Sequence, residues 1–300
     1  MANLRDIRNR ISSVNNTKQI TKAMKMVAAA RLRKAQQRMV ETRPYATKMR
    51  EVVARLVSGV EMSSELLRVP EERDRILFIV IGSDRGLCGG FNNNLFKVVE
   101  SALRSDFGSF LDSDTLDLVC IGKKADAYFK KRNYNVVRSY PGFFDDLHYS
   151  NAVGIMENAM DEFTEETYDE VHVAYNEFKS IITQRRMVKQ LLPVDSDLLS
   201  GELKPEEDDS VGGIDYIYEP DAEGILEQLL PLHLNVQLWS ALLESNASEQ
   251  GARMAAMDNA TENAKELEDE LRLEYNQARQ SAITTEISEI VSGAQALEGK

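Results

Sequence analysis

Apolar residues at both ends of this chain recur at steps of three and four, while its middle carries short apolar runs. The first spacing is that of an α-helix face and the second that of buried strands. From Asn3 to about Ser58, Leu4, Ile7, Ile11 and Val14 mark one face of a long helix, and Ile20, Met24 and Val27 resume it after a short offset. Pro44 is the only breaker. A helix continuing through it with a kink would run roughly 80 Å at 1.5 Å per residue. A second helix is predicted from Asp221, just after Glu219-Pro220, to about Leu297. Leu226, Leu230, Leu234 and Leu238 give its face early on, and Ile283, Ile287, Ile290, Ala294 and Leu297 near its end. Pro231 is expected to bend it, and if continuous it measures on the order of 115 Å. With no sheet nearby in sequence, both stripes are expected to bury only against each other or against a partner.

Between the helices, residues 75–82, 115–122 and 170–175 read as buried strands, and Ile181–Val194 alternates like a strand toward an edge. Helical segments are predicted at Phe91–Ser105, Lys123–Arg132 and Asn151–Glu165. This alternation predicts a doubly wound parallel sheet in an α/β domain. The acidic stretch Gly201–Gly213 reads as a flexible, solvated connector. The segments are therefore 1–58 (N-terminal helix), 75–218 (α/β domain) and 221–300 (C-terminal helix).

Charge is divided unevenly. Residues 1–58 hold fourteen Lys or Arg against Asp6, Glu41 and Glu51, so a net charge of −13 for the chain leaves the other 242 residues at −24. A basic arm often means nucleic acid, but this one has helical apolar spacing and no interleaved aromatics, so nucleic-acid binding is not expected. No run of 18 apolar residues exists, and Met1-Ala-Asn-Leu-Arg5 lacks the apolar core of a secretory signal. The chain is expected to stay where it is made and to reach a membrane only through partners, with no direct insertion. Cys88 and Cys120 are too few for a disulfide framework and fit a reduced compartment.

Catalytic patterns are thin. The turn Gly82-Ser-Asp-Arg-Gly-Leu-Cys-Gly-Gly-Phe91 follows a strand and opens a helix, where phosphate loops occur, yet it fits neither G-x-G-x-x-G nor a Walker loop. A tight strand-to-helix connection explains its glycines, and a doubly wound nucleotide-binding enzyme remains the alternative it would support. His148, His172 and His233 form no metal-binding pattern, and no Gly-x-Ser-x-Gly elbow is present, so no metal, cofactor or catalytic residue is assigned. Glu266, Glu268, Asp269, Glu270 and Glu274 read as a solvated helix face. More telling is Lys22–Lys34, where Ala28, Ala29 and Ala30 thin the helix and Lys25, Arg31, Arg33 and Lys34 surround it with positive charge. A coiled-coil scaffold with a basic rim would explain the spacing, but a solvated rim seldom needs such one-sided charge.

Ile20–Ala29, Arg43-Pro-Tyr45, Ser83–Gly90, Ala247–Met257 and Tyr275–Ala294 together resemble the gamma subunit of F-type ATP synthases, in order and over nearly the whole chain. The resemblance implies a non-catalytic central-stalk rotor, with the two long helices wound into an antiparallel coiled coil around an inserted Rossmann-like domain. It implies alpha and beta subunits of a catalytic head as partners, with an epsilon subunit and a ring of c subunits at the α/β domain. It also implies a peripheral place on the cytoplasmic face of a bacterial inner membrane. Carried over by residue, Arg279 and Gln280 match positions that grip a beta-subunit loop, and Met24 with Lys25 match a segment facing an acidic loop of that subunit. Arg253 matches the basic position of the Glu-Gln-x-Ala-Arg-Met motif, and Ile283–Leu297 would be a tip held in an apolar sleeve. The paired-cysteine insertion resembling the chloroplast redox switch is absent, so thiol control by that route is not expected.

Overall fold

The structure, a computed structural model, describes residues 4–59, 64–194 and 221–298. The acidic stretch 201–213 and the end of the 75–218 segment lie outside the described residues, as does the side chain of Leu297. Helix α1 runs Leu4–Gly59, with Pro44 inside it. There follow β1 (Ile76–Ile81), α2 (Phe91–Ser105), the short α3 (Gly108–Asp112), β2 (Leu116–Ile121) and α4 (Lys123–Lys130). The chain then forms β3 (Val136–Tyr140), α5 (Tyr149–Thr164), β4 (Glu170–Phe178) and β5 (Gln184–Leu192). Helix α6 spans Ala222–Glu298 with Pro231 inside it. The chain forms two compact units, and both long helices contribute to each: residues 30–252 make one, and 1–29 with 253–300 make the other.

In the larger unit the five strands stand in the order β3-β2-β1-β4-β5. β1, β2, β3 and β4 are parallel and β5 joins antiparallel to β4. The predicted apolar runs are β1, β2 and the start of β4, and every residue of β1 and β2 is buried, as central strands covered on both faces require. One face carries Ile76, Phe78, Val80, Leu118 and Cys120 under Leu95, Phe96 and Val99 of α2 and Phe129 of α4. The opposite face carries Leu77, Ile79, Ile81, Val119 and Ile121 under α5. The same cluster includes Met49, Val53 and Leu56 of α1 and Leu226, Leu230, Leu234, Leu238 and Leu242 of α6. This corrects the expectation that the long helices have no sheet to cover them. Sequence neighbours do not reveal it, because the sheet face lies far along the chain from both helices.

Strand β3 was not anticipated. Its residues Val136-Val-Arg-Ser-Tyr140 break the apolar run with Arg138 and Ser139, as a short edge strand does. Arg138 is held bidentate by Glu162 of α5 at 2.8 and 2.5 Å.

In the smaller unit the α1 segment is buried or half-buried at positions 4, 7, 11, 14, 18, 21, 25 and 28, an unbroken three-four rhythm. The α6 segment answers with positions 257, 261, 264, 268, 271, 275, 278 and 282. Cross-helix bonds join Arg8 to Tyr275 (2.7 Å), Lys18 to Glu268, Thr261 to Thr21 (2.8 Å) and Lys25 to Asp258 (2.5 Å). Residue numbers rise on one helix as they fall on the other, so the pair is antiparallel. The face assigned to Ile20, Met24 and Val27 is therefore corrected. Ile20 and Val27 are 59% and 54% exposed, and the seam passes instead through Lys18, Thr21 and Lys25. No offset exists in the helix; the apolar signal lapses where polar residues take the seam. Glu268, read as part of a solvated acidic face, is 5% exposed and lies in that seam.

Candidate partner-contact site

All five residues singled out for partner contact fall in the smaller unit, but not at one place. Met24 is half-buried, and Lys25, with its side chain 39% exposed, gives its ammonium to Asp258. That cation is already paired within the chain, so an outside carboxylate must compete with Asp258 for it. Arg253 is buried. Arg279 and Gln280 are exposed. Asp258 and Arg279 are 21 residues apart on one helix, which separates the two groups by about 30 Å. The five residues therefore do not form one cluster.

Beyond the last seam position, Ala282, α6 presents Ile283, Ile287, Ile290 and Val291 at 46–70% exposure. Large aliphatic side chains spaced along one exposed helix are the form of a docking surface. Around Met24, Ile20, Met26 and Val27 add exposed apolar area beside Lys22. Exposed apolar side chains set among basic ones suit an acidic partner segment with apolar anchors.

The alternative site, the glycine-rich turn, sits at the carboxyl end of β1, where doubly wound folds hold ligands. Here the turn carries an internal acceptor. Asp84 accepts backbone N–H groups from Lys123 (3.0 Å), the first residue of α4, from Gly142 (2.6 Å) and from Phe144 (3.0 Å). Its carboxylate thereby ties the turn to the N-terminus of α4 and to the segment that follows β3. The turn is also closed on itself: Asn92 accepts from the Ser83 amide at 3.0 Å and donates to Ser83 Oγ at 2.7 Å. Gly122, at φ +93°, passes so close to the turn that a Cβ there would stand 2.9 Å from the Gly82 carbonyl oxygen. These glycines serve packing and backbone conformation.

Two further features of the larger unit bear on chemistry. A cavity of about 660 Å³ lies between β4–β5 and the helices α1 and α6, lined by Arg50, Glu177, His233 and Glu244 among others. His233 accepts from Gln237 at Nε2 (2.6 Å), which leaves the proton on Nδ1, and that nitrogen has no partner among the described residues. Burial, and then the charge of Arg50, push its pKa down to about 4, so the ring is neutral at pH 7 and a weak base. Glu244 is shifted up, first by burial and then by Glu177. Both cysteines are buried, and burial pushes Cys120 up to about 12, which leaves its thiol protonated and unreactive. Among the described residues no group of three His, Cys, Asp or Glu could hold a metal ion, and no helix is long and apolar enough to cross a membrane.

Comparison with known proteins places this architecture. A family model described as ATP synthase matches residues 3–297. The ATP synthase gamma chain of Prosthecochloris aestuarii is 48% identical over 300 residues, covering all of both chains, and that of Salinibacter ruber is 47% identical over 305 residues, covering 99% of each. Among solved structures, a chain of the Euglena gracilis mitochondrial ATP synthase (OSCP/F1/c-ring, rotational state 3) has a TM-score of 0.70 at 22% identity, covering 98% of this chain and 94% of its own. A chain of the Tetrahymena thermophila mitochondrial ATP synthase central stalk and c-ring has a TM-score of 0.57 at 26% identity, covering 80% and 99%. Its full-length match to the family model and to these relatives makes the chain a member of the ATP synthase gamma-chain family.

Proposed function

We propose that this chain is the central-stalk rotor of an F-type ATP synthase, itself without catalytic residues, coupling ion flow through a c-ring to ATP synthesis at an alpha/beta head. The observation that carries this reading is the antiparallel coil that ends in an exposed apolar stretch of α6, Ile283 to Val291, joined in one chain to a sheet domain. Such a coil has a different face at every angle. Inside a threefold head it would contact each catalytic subunit differently, and the difference in contact free energy between angles would bias which site is open. The coil and its tip would meet the alpha and beta subunits, and the sheet domain would meet epsilon and the c-ring. Its place would be peripheral, on the cytoplasmic face of a bacterial inner membrane, and it would regulate ATPase activity and proton flow.

Arg279 and Gln280 are proposed to grip a beta-subunit loop, because both are exposed one turn before the apolar tip. Met24 and Lys25 form the second station, to which Arg253, 7% exposed, can offer a partner little surface. Arginine is among the side chains enriched at interface hot spots, whose truncation costs about 2 kcal/mol or more. Arg279→Ala with Gln280→Ala should therefore cut ATP-driven proton pumping by tenfold or more in complexes purified with alpha and beta subunits. Unchanged hydrolysis and pumping would remove these residues from the contact. Failure of the full chain to form any complex with alpha and beta would remove the rotor reading itself.

A further inference from the structure

The connection between β4 and β5, Lys179-Ser-Ile-Ile-Thr183, departs from the usual chemistry of a hairpin turn. Tips of this kind favour Gly, Pro, Asn, Asp and Ser, whereas Ile181, Ile182 and Thr183 are β-branched and belong in strands. Burial does not account for them either. Ile182 is 85% exposed, more than any other large apolar side chain among the described residues, and Ile181 is 38% exposed. A lone exposed aliphatic residue is ordinary, but one held at the tip of a braced turn against local propensity is the kind of conflict that marks a functional position.

The bracing comes from the turn and from the helix beside it. Ser180 N–H donates to the Thr183 carbonyl at 3.0 Å, Thr183 N–H to Ser180 Oγ at 3.0 Å, and Gln184 Nε2 to the Ile181 carbonyl at 3.2 Å. Behind the tip, Ser248 of α6 donates to the Asn176 carbonyl at 3.0 Å. At Gly251 the same helix runs so close that a Cβ there would touch Ile181 Cα at 3.5 Å and the Phe178 ring at 3.6 Å. The branched side chain of Ile182 has few rotamers, so on a braced turn little freedom remains to be lost when it is covered. Charge indicates what covers it. Lys179, Arg185 and Arg186 are exposed within four residues of Ile182, and Glu177, bonded to Lys179 at 2.9 Å, is the only acid from 177 to 189. That stretch holds four Lys or Arg against one carboxylate, a balance of +3 in a part of the chain that is otherwise strongly acidic.

We propose that the β4–β5 hairpin is a docking knob, with Ile182 seated in an apolar pocket of a partner protein and Lys179, Arg185 and Arg186 facing carboxylates around that pocket. A lipid surface fits less well, because one isoleucine with a half-covered neighbour offers too little apolar area to hold a chain on a bilayer. The identity of the partner rests on the rotor reading, in which alpha, beta and epsilon subunits contact the chain, whereas the knob itself rests on the hairpin.

Because Cys88 and Cys120 are buried, a thiol placed at the tip can be read alone. In the free full chain Ile182→Cys should react readily with a maleimide, and in the complex with alpha, beta and epsilon subunits its rate should fall at least tenfold. Ile182→Ser, at an exposed position, should keep the melting temperature of the chain within about 2 °C of the parent and yet weaken assembly at least tenfold. Lys179→Glu with Arg186→Glu should slow assembly at least tenfold at low salt. An unchanged labelling rate in the complex, unchanged assembly of the serine or the charge-reversed variant, or a large drop in the melting temperature of the serine variant would each overturn the knob. So would binding of the parent chain to phosphatidylglycerol vesicles that the serine variant loses. If the parent forms no complex at all, the rotor reading fails and the knob's partner with it; a complex in which position 182 stays reactive overturns the knob alone.

Discussion

Asp84→Ala is expected to destabilise the larger unit by about 3 kcal/mol and to lower the melting temperature by about 5–10 °C. Three backbone N–H groups, from Lys123, Gly142 and Phe144, lose a charged acceptor at once. Each such bond is worth about 1–2 kcal/mol net, discounted here because Lys123 is exposed and its amide can turn to water. Asp84→Asn separates charge from geometry. It keeps one carbonyl oxygen, enough for the Lys123 and Gly142 amides that share Oδ1, and should cost about half as much. Denaturant unfolding of both variants, with hydrogen exchange at the Gly142 and Phe144 amides, checks the order. Equal stability of parent and alanine variant would show that the carboxylate does not organise the turn.

The second large effect is acid lability at His233. Its ring is buried and neutral, with a folded pKa of about 4 against about 6.5 when unfolded. Because the folded value is depressed for a base, the unfolded chain takes up the proton first. The contribution is therefore fully present above pH 6.5 and is eroded as pH falls through the window from about 6.5 to about 4. Two and a half units correspond to about 3 kcal/mol. The charges facing the ring include Arg50 from α1, which opposes protonation as well, while Glu177 and Glu244 line the same cavity. His233→Leu removes the titration at similar volume. Between pH 7 and pH 4 the variant should lose about 3 kcal/mol less than the parent, measured by urea unfolding at several pH values. Parallel curves would mean that His233 titrates alike in both states.

What could be read before any coordinates were known follows the strength of each local signal. Strand β1, central and covered twice, is an unbroken apolar run in the sequence, β2 is one interrupted only by Asp117, and α2 begins and ends where its pattern does. Strand β3 was invisible because an edge strand tolerates Arg138 and Ser139. The docking of α1 and α6 on the sheet was invisible for a different reason: hydrophobic period identifies a buried face but not what buries it. At the site, Arg279 and Gln280 are exposed, which the helical pattern alone did not specify. Lys25 and Arg253 were legible as basic residues, but an internal ion pair and burial depend on partners more than two hundred positions away or on packing. The polar seam did leave a trace. Positions 4, 7, 11, 14, 18, 21, 25 and 28 keep a strict rhythm, and following it through Lys18 would have found the seam. Following hydrophobicity alone led to the exposed face of Ile20 and Val27.

The apolar overhang of α6 has a consequence for how the chain must be supplied. Ile283, Ile287, Ile290 and Val291 lie beyond the coil with nothing of α1 alongside them. Surplus copies would meet one another through these side chains before they met anything else, and such contacts between like surfaces grow with the square of concentration. Production in excess of whatever covers the stripe would convert the surplus to aggregate. The chain thereby carries, in the last turns of α6, a penalty on being made in excess of whatever covers them.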